Sequence, residues 1–240
     1  MIRILLWWLS VGVTAAWAAP PLVGFGLNKP PYVFEQAQTG LEVEIISAAF
    51  KAAGIEIKMH FAPQSRLHAQ LSAGQIDAIV TTLEQSGVSA YYSDSYLSYQ
   101  NYAISLTSNK LDIRSQDDLS RYSVTAFQRA SQILGDRFHA AILKSPGYTE
   151  QAQQRTRNLL LYLGRVDVVV GDKRIFNYFS RDIADQVDTS QAVTFHDIFP
   201  PTHYKVGFKN QALRDAFNRG LATIRQDGTY ARIEKRYEEY

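Results

Sequence analysis

Two short stretches of the chain end in polar side chains that could bind a small molecule. GQIDAIVTT, residues 74–82, ends in Thr81 and Thr82, and GRVDVVVGD, residues 164–172, ends in Asp172. Threonine hydroxyls donate and accept hydrogen bonds, and an aspartate carboxylate accepts hydrogen bonds from an ammonium group. These residue types indicate hydrogen bonding and charge pairing with a small polar ligand.

The two stretches share one pattern: a glycine, any residue, a β-branched residue and an aspartate, followed by a short apolar run. An ordinary helix-to-strand junction that occurs twice would give this pattern, and so would two lobes built on one plan. Helices and strands alternate on both sides of a Tyr- and Ser-rich run at 86–106, which favours parallel sheets covered by helices. We predict an α/β protein of two lobes, each a mainly parallel sheet flanked by helices. Ligands of open α/β sheets bind outside the carboxyl ends of the strands, so both stretches should end at the cleft.

The aspartates inside the two stretches, Asp77 and Asp167, stand where the strands begin. Asp172 lies five residues beyond Asp167. That separation is about 17 Å along a strand, so the two carboxylates cannot share one role. We expect Asp77 and Asp167 to be structural and Asp172 to contact a ligand.

Helical periodicity is clearest in the second half of the chain. Residues 130–145 predict one continuous helix that Ser131 could cap. The C-terminal segment predicts a helix with a break near Gly228, and its apolar stripe consists of Leu213, Phe217, Leu221 and Ile224.

The first residues predict a secretory signal peptide over residues 1–18. Arg3 precedes an apolar run, and the small residues of Ala16-Trp17-Ala18 form a cleavage site. The run is about half of the roughly 20 residues that a membrane-spanning helix needs, so a retained anchor is the weaker interpretation. We expect an exported chain that is not inserted in the membrane after cleavage and is located in a bacterial periplasm.

Composition excludes several classes of function. The chain has 25 Lys and Arg against 23 Asp and Glu, and loss of Arg3 with the leader brings the net charge near +1. That balance gives no basic field for nucleic acid and no polybasic membrane patch. There is no cysteine, which excludes disulfides and a lipid-modified N-terminal cysteine. The five histidines lack metal-ligand spacing, and we expect no metal, no cofactor and a monomer.

Seven motifs occur in an order typical of one protein family: PPYVF, TGLEVEIISAAFKAAG, LSAGQIDAIV, YYSDSYLSYQNYAI, DDLSRYSVTAF, LGRVDVVVGD and RQDGTYARIEKRY. In this order they resemble the solute-binding proteins of ABC importers, specifically the amino-acid type called family 3. The resemblance implies two α/β lobes that close on a small ligand, with hinge strands near 99–106 and 203–208. It places the first lobe at 19–104 and 206–240 and the second at 105–205.

The chain departs from this family at the residue that holds an amino-acid carboxylate. Members that bind ordinary amino acids carry an arginine just after the third strand of the first lobe. Here the span between Arg66 and Lys110 contains neither Arg nor Lys. A charge-assisted contact of this kind is worth about 1.5–3 kcal/mol, or one to two decades of affinity. The resemblance therefore does not imply a standard amino acid held in the standard way.

Two other arginines are candidates to replace it. Arg66 opens the second helix, near a position where many members carry an aromatic residue and this chain has Gln64. Arg129 stands where the family usually has glycine before a helix of the second lobe. The free N–H groups at that helix start can bind an anion together with Arg129 and Ser131. Either arginine could instead be a solvated surface residue.

The remaining candidates follow from the family's pattern. Asp172 matches the second-lobe aspartate that receives a ligand's amino group, and Tyr32 matches an aromatic residue that stacks on the ligand. Tyr32 could also simply cover the core. The full set of predicted ligand contacts is Tyr32, Arg66, Thr81, Thr82, Gln128, Arg129, Ser131 and Asp172.

The leading hypothesis is a periplasmic receptor that delivers a small polar solute, amino-acid-like or an organic anion, to an inner-membrane ABC permease. Binding alone requires no enzymatic activity. A dehydratase of a cyclic acid on the same scaffold is an alternative, since Asp172 could act as a general acid or base, but no second titratable partner is evident. A ligand-sensing module that feeds a receptor is the other alternative.

Overall fold

The computed structural model describes residues 19–238, and the predicted signal peptide lies outside them. The first half contains β1 (Leu22–Phe25), α1 (Leu41–Ala52), β2 (Lys58–Phe61), α2 (Gln64–Ser72), β3 (Ala78–Thr82), β4 (Tyr91–Tyr92), β5 (Leu97–Tyr99) and β6 (Asn101–Leu106). The second half contains β7 (Val124–Phe127), α3 (Ala130–Ile133), α4 (Asp136–Ile142), β8 (Tyr148–Gln151), α5 (Gln154–Tyr162), β9 (Val168–Asp172), α6 (Lys173–Asp182), β10 (Val193–His196), β11 (Thr202–Phe208), α7 (Gln211–Gln226) and α8 (Thr229–Arg236).

These strands form two sheets, and each has a parallel core with antiparallel edges. The first has the order β2-β1-β3-β11-β4, with β5 also paired to β11. In it β1 is parallel to β2 and β3. The second has the order β10-β6-β9-β7-β8, in which β7 is parallel to β8 and β9. Helices flank both sheets, which confirms the predicted two-lobed α/β fold.

The chain crosses between the sheets at two places that lie close together. Strand β5 ends at Tyr99 in the first sheet, and β6 begins at Asn101 in the second. On the return, β10 ends in the second sheet at His196 and β11 begins in the first at Thr202. The C-terminal helices then pack on α1, and the predicted stripe of α7 is buried there.

Asp77 and Asp167, at the starts of their strands, have the same structural role. Asp77 accepts a hydrogen bond from the backbone N–H of Leu22 at 2.7 Å, where β1 begins. Asp167 accepts from the N–H of Ser123 at 2.8 Å and from its hydroxyl at 2.7 Å, just before β7. Each carboxylate joins the start of its own strand to the start of the neighbouring parallel strand, as the sequence indicated.

The prediction of one continuous helix over residues 130–145 was wrong. Gly135 has a φ of +89°, a conformation that favours glycine, and it separates the short α3 from α4. The side chain of Ser131 makes no capping hydrogen bond at the start of α3. No helix within residues 19–238 is long and apolar enough to cross a membrane.

Candidate functional site

A cavity of about 70 Å³ lies between the two lobes, where strands of both sheets end. Its walls carry polar and charged side chains from both lobes, among them Lys29, Gln64, Thr81, Gln128, Arg157 and Asp172. Apolar walls come from Tyr99, Phe127, Ile133, Ile175 and Tyr204. A concave space with apolar walls and a few convergent polar groups is the usual form of a small-molecule site.

On the first-lobe side, a buried ion pair supports the cavity wall. The Lys29 ammonium lies 2.6 Å from a Glu42 carboxylate oxygen, and it donates a hydrogen bond of 2.7 Å to the Thr81 hydroxyl. That hydroxyl donates in turn to Glu42 at 2.5 Å. Glu42 has no exposed surface and Lys29 is 6% exposed. The Lys29 ammonium is therefore already neutralised by the Glu42 carboxylate.

The backbone at Thr81 is held in an uncommon conformation by this network. Thr81 has a φ of +55°, which is rare for a β-branched residue. Its N–H donates to the Tyr96 hydroxyl at 3.0 Å, and its carbonyl accepts from the Gln64 amide at 3.1 Å. The Tyr96 hydroxyl also donates to Glu42. Such outliers persist where the surroundings determine them, and they often occur at binding sites.

On the second-lobe side, Asp172 ends β9 and also begins α6. One carboxylate oxygen accepts from the N–H groups of Arg174 at 2.9 Å and Ile175 at 3.2 Å. The other accepts from the Tyr32 hydroxyl of the first lobe at 3.2 Å. Burial raises the pKa of Asp172, and these hydrogen bonds oppose that shift.

Tyr32 is therefore a contact between the lobes. It is buried, and its ring lies 4.1 Å from that of Tyr99 between centroids. Burial and the charge of Asp172 raise the pKa of Tyr32, so its hydroxyl remains a donor. Tyr32 lies behind the cavity wall and reaches the site through Asp172.

Arg157 is a cation at the cavity that the sequence analysis missed. It lies in the first turns of α5 and is 3% exposed. Its Nη1 donates to the carbonyl of Val170, while its Nε is buried without a hydrogen-bond partner among the described residues. Burial lowers the pKa of Arg157 to about 10, and the charge of Asp172 opposes this. The group stays protonated at neutral pH.

The helix start predicted to bind an anion is already occupied by a carboxylate of the protein. Glu150 accepts hydrogen bonds from the N–H of Arg129 at 2.6 Å and from the N–H of Ser131 at 2.9 Å. The Arg129 side chain instead donates to the carbonyl of Ser86 in the first lobe. Arg129 and Ser131 therefore join structural elements, and neither is among the residues that line the cavity.

Of the other predicted contacts, one lines the cavity and two do not. Gln128 lines it, and its side-chain oxygen accepts a 3.4 Å hydrogen bond from the N–H of Ser65 across the lobes. Thr82 is buried behind the wall, bonded to Ser86 at 3.0 Å. Arg66 is exposed on α2 and is not among the residues that line the cavity.

The fold agrees with the comparisons to known proteins. A model of the bacterial extracellular solute-binding proteins, family 3, matches residues 22–239. The chain belongs to this family. A search of curated protein sequences found no significant match.

Several solved structures superpose over nearly the whole chain. An ancestral arginine-binding protein bound to glutamine has a TM-score of 0.76 at 19% identity, over 94% of this chain and 100% of that one. ArtJ, the arginine-, lysine-, histidine-binding protein of Geobacillus stearothermophilus, has a TM-score of 0.75 at 17% identity, over 92% and 96%. A histidine kinase sensor domain similar to periplasmic binding proteins has a TM-score of 0.76 at 16% identity, over 91% and 96%. At these identities the likeness shows the fold.

Proposed function

We propose that this family 3 protein captures a small polar solute in the periplasm by closing its two lobes, and delivers it to an ABC-type transporter. The observation that carries the proposal is the cavity, whose walls come from both lobes and include the buried polar groups Thr81, Arg157 and Asp172. A ligand that contacts both walls at once stabilises the closed form relative to the open one.

The lobes predicted from the sequence, 19–104 with 206–240 and 105–205, are proposed as the two bodies that close. Sheet membership moves their proposed boundaries to the changes of sheet at 99–101 and 196–202. Contacts between the two bodies are already formed. The Tyr32 hydroxyl reaches Asp172, and Arg129 reaches the carbonyl of Ser86. A solute held between the closed lobes is shielded from water, which strengthens its polar interactions.

Binding without chemistry is proposed over catalysis because the charged groups at the cavity are engaged or unsuited to proton transfer. Lys29 is paired with Glu42, and a guanidinium such as that of Arg157 does not release its proton near neutral pH. Asp172 accepts three hydrogen bonds from the protein. A general acid or base would need a free titratable partner beside the substrate.

A thermal-shift screen of the mature chain tests this function. The panel contains amino acids, dicarboxylates, amines and opines. A true ligand at 100 times its dissociation constant adds about 2.7 kcal/mol of stability, or about 5–11 °C for a chain of this size. Loss of that shift in Asp172→Asn would place the ligand in the cleft. If no member of any class shifts the midpoint, the proposal fails.

A further inference from the structure

Arg157 is a buried charge that the protein does not neutralise by contact. Asp172 is the carboxylate whose charge reaches it, but the two form no ion pair among the residues described. A guanidinium removed from water without a paired anion is unfavourable. Its retention at a cavity wall therefore calls for a partner that the chain itself does not supply.

The hydrogen-bonding capacity of Arg157 is also incompletely used. A guanidinium carries five N–H donors in a planar fork. Here Nη1 is directed at the carbonyl of Val170, and the buried Nε has no partner within residues 19–238. The edge formed by Nε and Nη2 is one of the two edges that match the oxygens of a carboxylate.

The position of Arg157 in its helix adds to the positive potential. It is the fourth residue of α5, a helix of nine residues, and Gln154 at the start of that helix also lines the cavity. The N-terminal turn of a helix favours anions and disfavours cations. A cation buried at this end and facing a cavity creates a local field suited to an anion.

Gly171 on β9 leaves room for the Arg157 guanidinium. A Cβ on Gly171 would lie 2.6 Å from Nη1 of Arg157, which is closer than real Cβ contacts. Gly171 does not have a positive φ, so the backbone conformation does not require glycine there. The absence of a side chain at this position is explained by the close approach of Arg157.

The other cation at the cavity is not available to a ligand, because Lys29 is paired with Glu42 at 2.6 Å. We propose that Arg157, from the second lobe, holds a carboxylate of the bound solute and takes the place of the missing first-lobe arginine. This inference rests on the proposed function and narrows its solute class to carboxylates. The solute's remaining polar groups would face Asp172, Thr81 and Gln64.

The test compares matched solutes on the wild-type mature chain. Each amino acid and dicarboxylate of the panel is paired with its carboxamide, which keeps the shape and removes the negative charge. We expect carboxylates to raise the unfolding midpoint and their carboxamides to have little effect. This comparison uses no variant, so it does not depend on the folding of a mutant.

Variants then assign the carboxylate contact to one residue. For the best carboxylate, Arg157→Gln should weaken binding by about 10- to 100-fold in calorimetry. Gly171→Ala should also weaken it, since it displaces the guanidinium. Arg165→Gln is the matched control, because Arg165 is exposed just beyond the same helix, and it should bind as the wild type does.

Three results would overturn the inference: no carboxylate binds, carboxamides bind equally well, or a folded Arg157→Gln protein keeps wild-type affinity. The proposed function survives the first of these if a neutral or cationic solute still binds. It fails together with the inference only if no solute of any class binds.

Discussion

The buried pair of Lys29 and Glu42 gives a prediction about stability. We expect Lys29→Met and Glu42→Gln to each cost about 3–5 kcal/mol, because each leaves a partner buried and uncompensated. In Glu42→Gln the new amide N–H also faces the Lys29 ammonium, since the lost oxygen accepted from Lys29 at 2.6 Å. For a chain of this size the loss corresponds to a fall of about 6–20 °C in the unfolding midpoint.

The double variant Lys29→Met/Glu42→Gln distinguishes the attraction between the two charges from the loss of side-chain packing. With methionine at position 29, the glutamine amide no longer meets an ammonium, while its oxygen still accepts from Thr81 and Tyr96. We expect the double variant to be about as stable as either single variant, so the coupling free energy equals one single loss, about 3–5 kcal/mol in the direction of attraction. Urea unfolding of the four proteins measures it.

An exposed ion pair, also of one basic and one acidic residue, serves as the control. Arg155 and Asp182 lie 3.0 Å apart, with 39% and 43% of their side chains exposed. Arg155→Gln should cost less than about 1 kcal/mol, since solvent screens exposed pairs. Two results would contradict a neutralised Lys29. Either the single variants at Lys29 and Glu42 lose no more free energy of unfolding than Arg155→Gln does, or their losses simply add in the double variant.

Other predictions follow from groups around the cleft and from the packing of the first lobe. Burial, together with the charge of Arg129, lowers the pKa of His68 to about 4, so the folded form resists protonation. The free energy of unfolding should therefore fall as pH decreases from about 6.5 to 4, and urea titrations of His68→Gln should show a shallower fall. Burial raises the pKa of Asp172. Stability from this group is present below its unfolded pKa and lost as pH rises, so the wild type should lose stability relative to Asp172→Asn above about pH 4, and a constant difference would contradict this. A Cβ on Gly220 would lie 1.9 Å from the carbonyl oxygen of Ala49. Gly220→Ala should thus cost about 1–3 kcal/mol in urea unfolding, whereas Gly147→Ala, with its nearest neighbour at 3.9 Å, should change little.

Sequence patterns were sufficient to predict the fold but not the composition of the site. Helices that alternate with apolar strands, in both halves of the chain, predict parallel sheets covered by helices. This prediction uses only the order of the elements and does not depend on which side chains contact each other. The site depends on contacts between residues far apart in sequence. For example, the Glu150 carboxylate accepts a hydrogen bond from the N–H of Ser131 at the start of α3. Glu150 lies on β8, for which the sequence predicted no role.

Two of the missed charges near the cleft, those of Arg157 and Glu42, did leave a weak signal. Arg157 lies four residues before Leu161 on α5, and both residues are buried, so they share one helix face. Glu42 shares a buried face of α1 with Ile45 and Ile46. A charge within an apolar stripe indicates a buried partner, but the stripe does not show whether that partner is a lysine of the protein or a ligand.

The central claim is that a solute binds between the lobes and stabilises their closed arrangement. Small-angle scattering of the mature chain, with and without the solute that gives the largest thermal shift, tests it most directly. We predict a smaller radius of gyration with the solute, and no decrease when Asp172→Asn is measured under the same conditions. A solute that stabilises the wild type while leaving its scattering curve unchanged would contradict the claim.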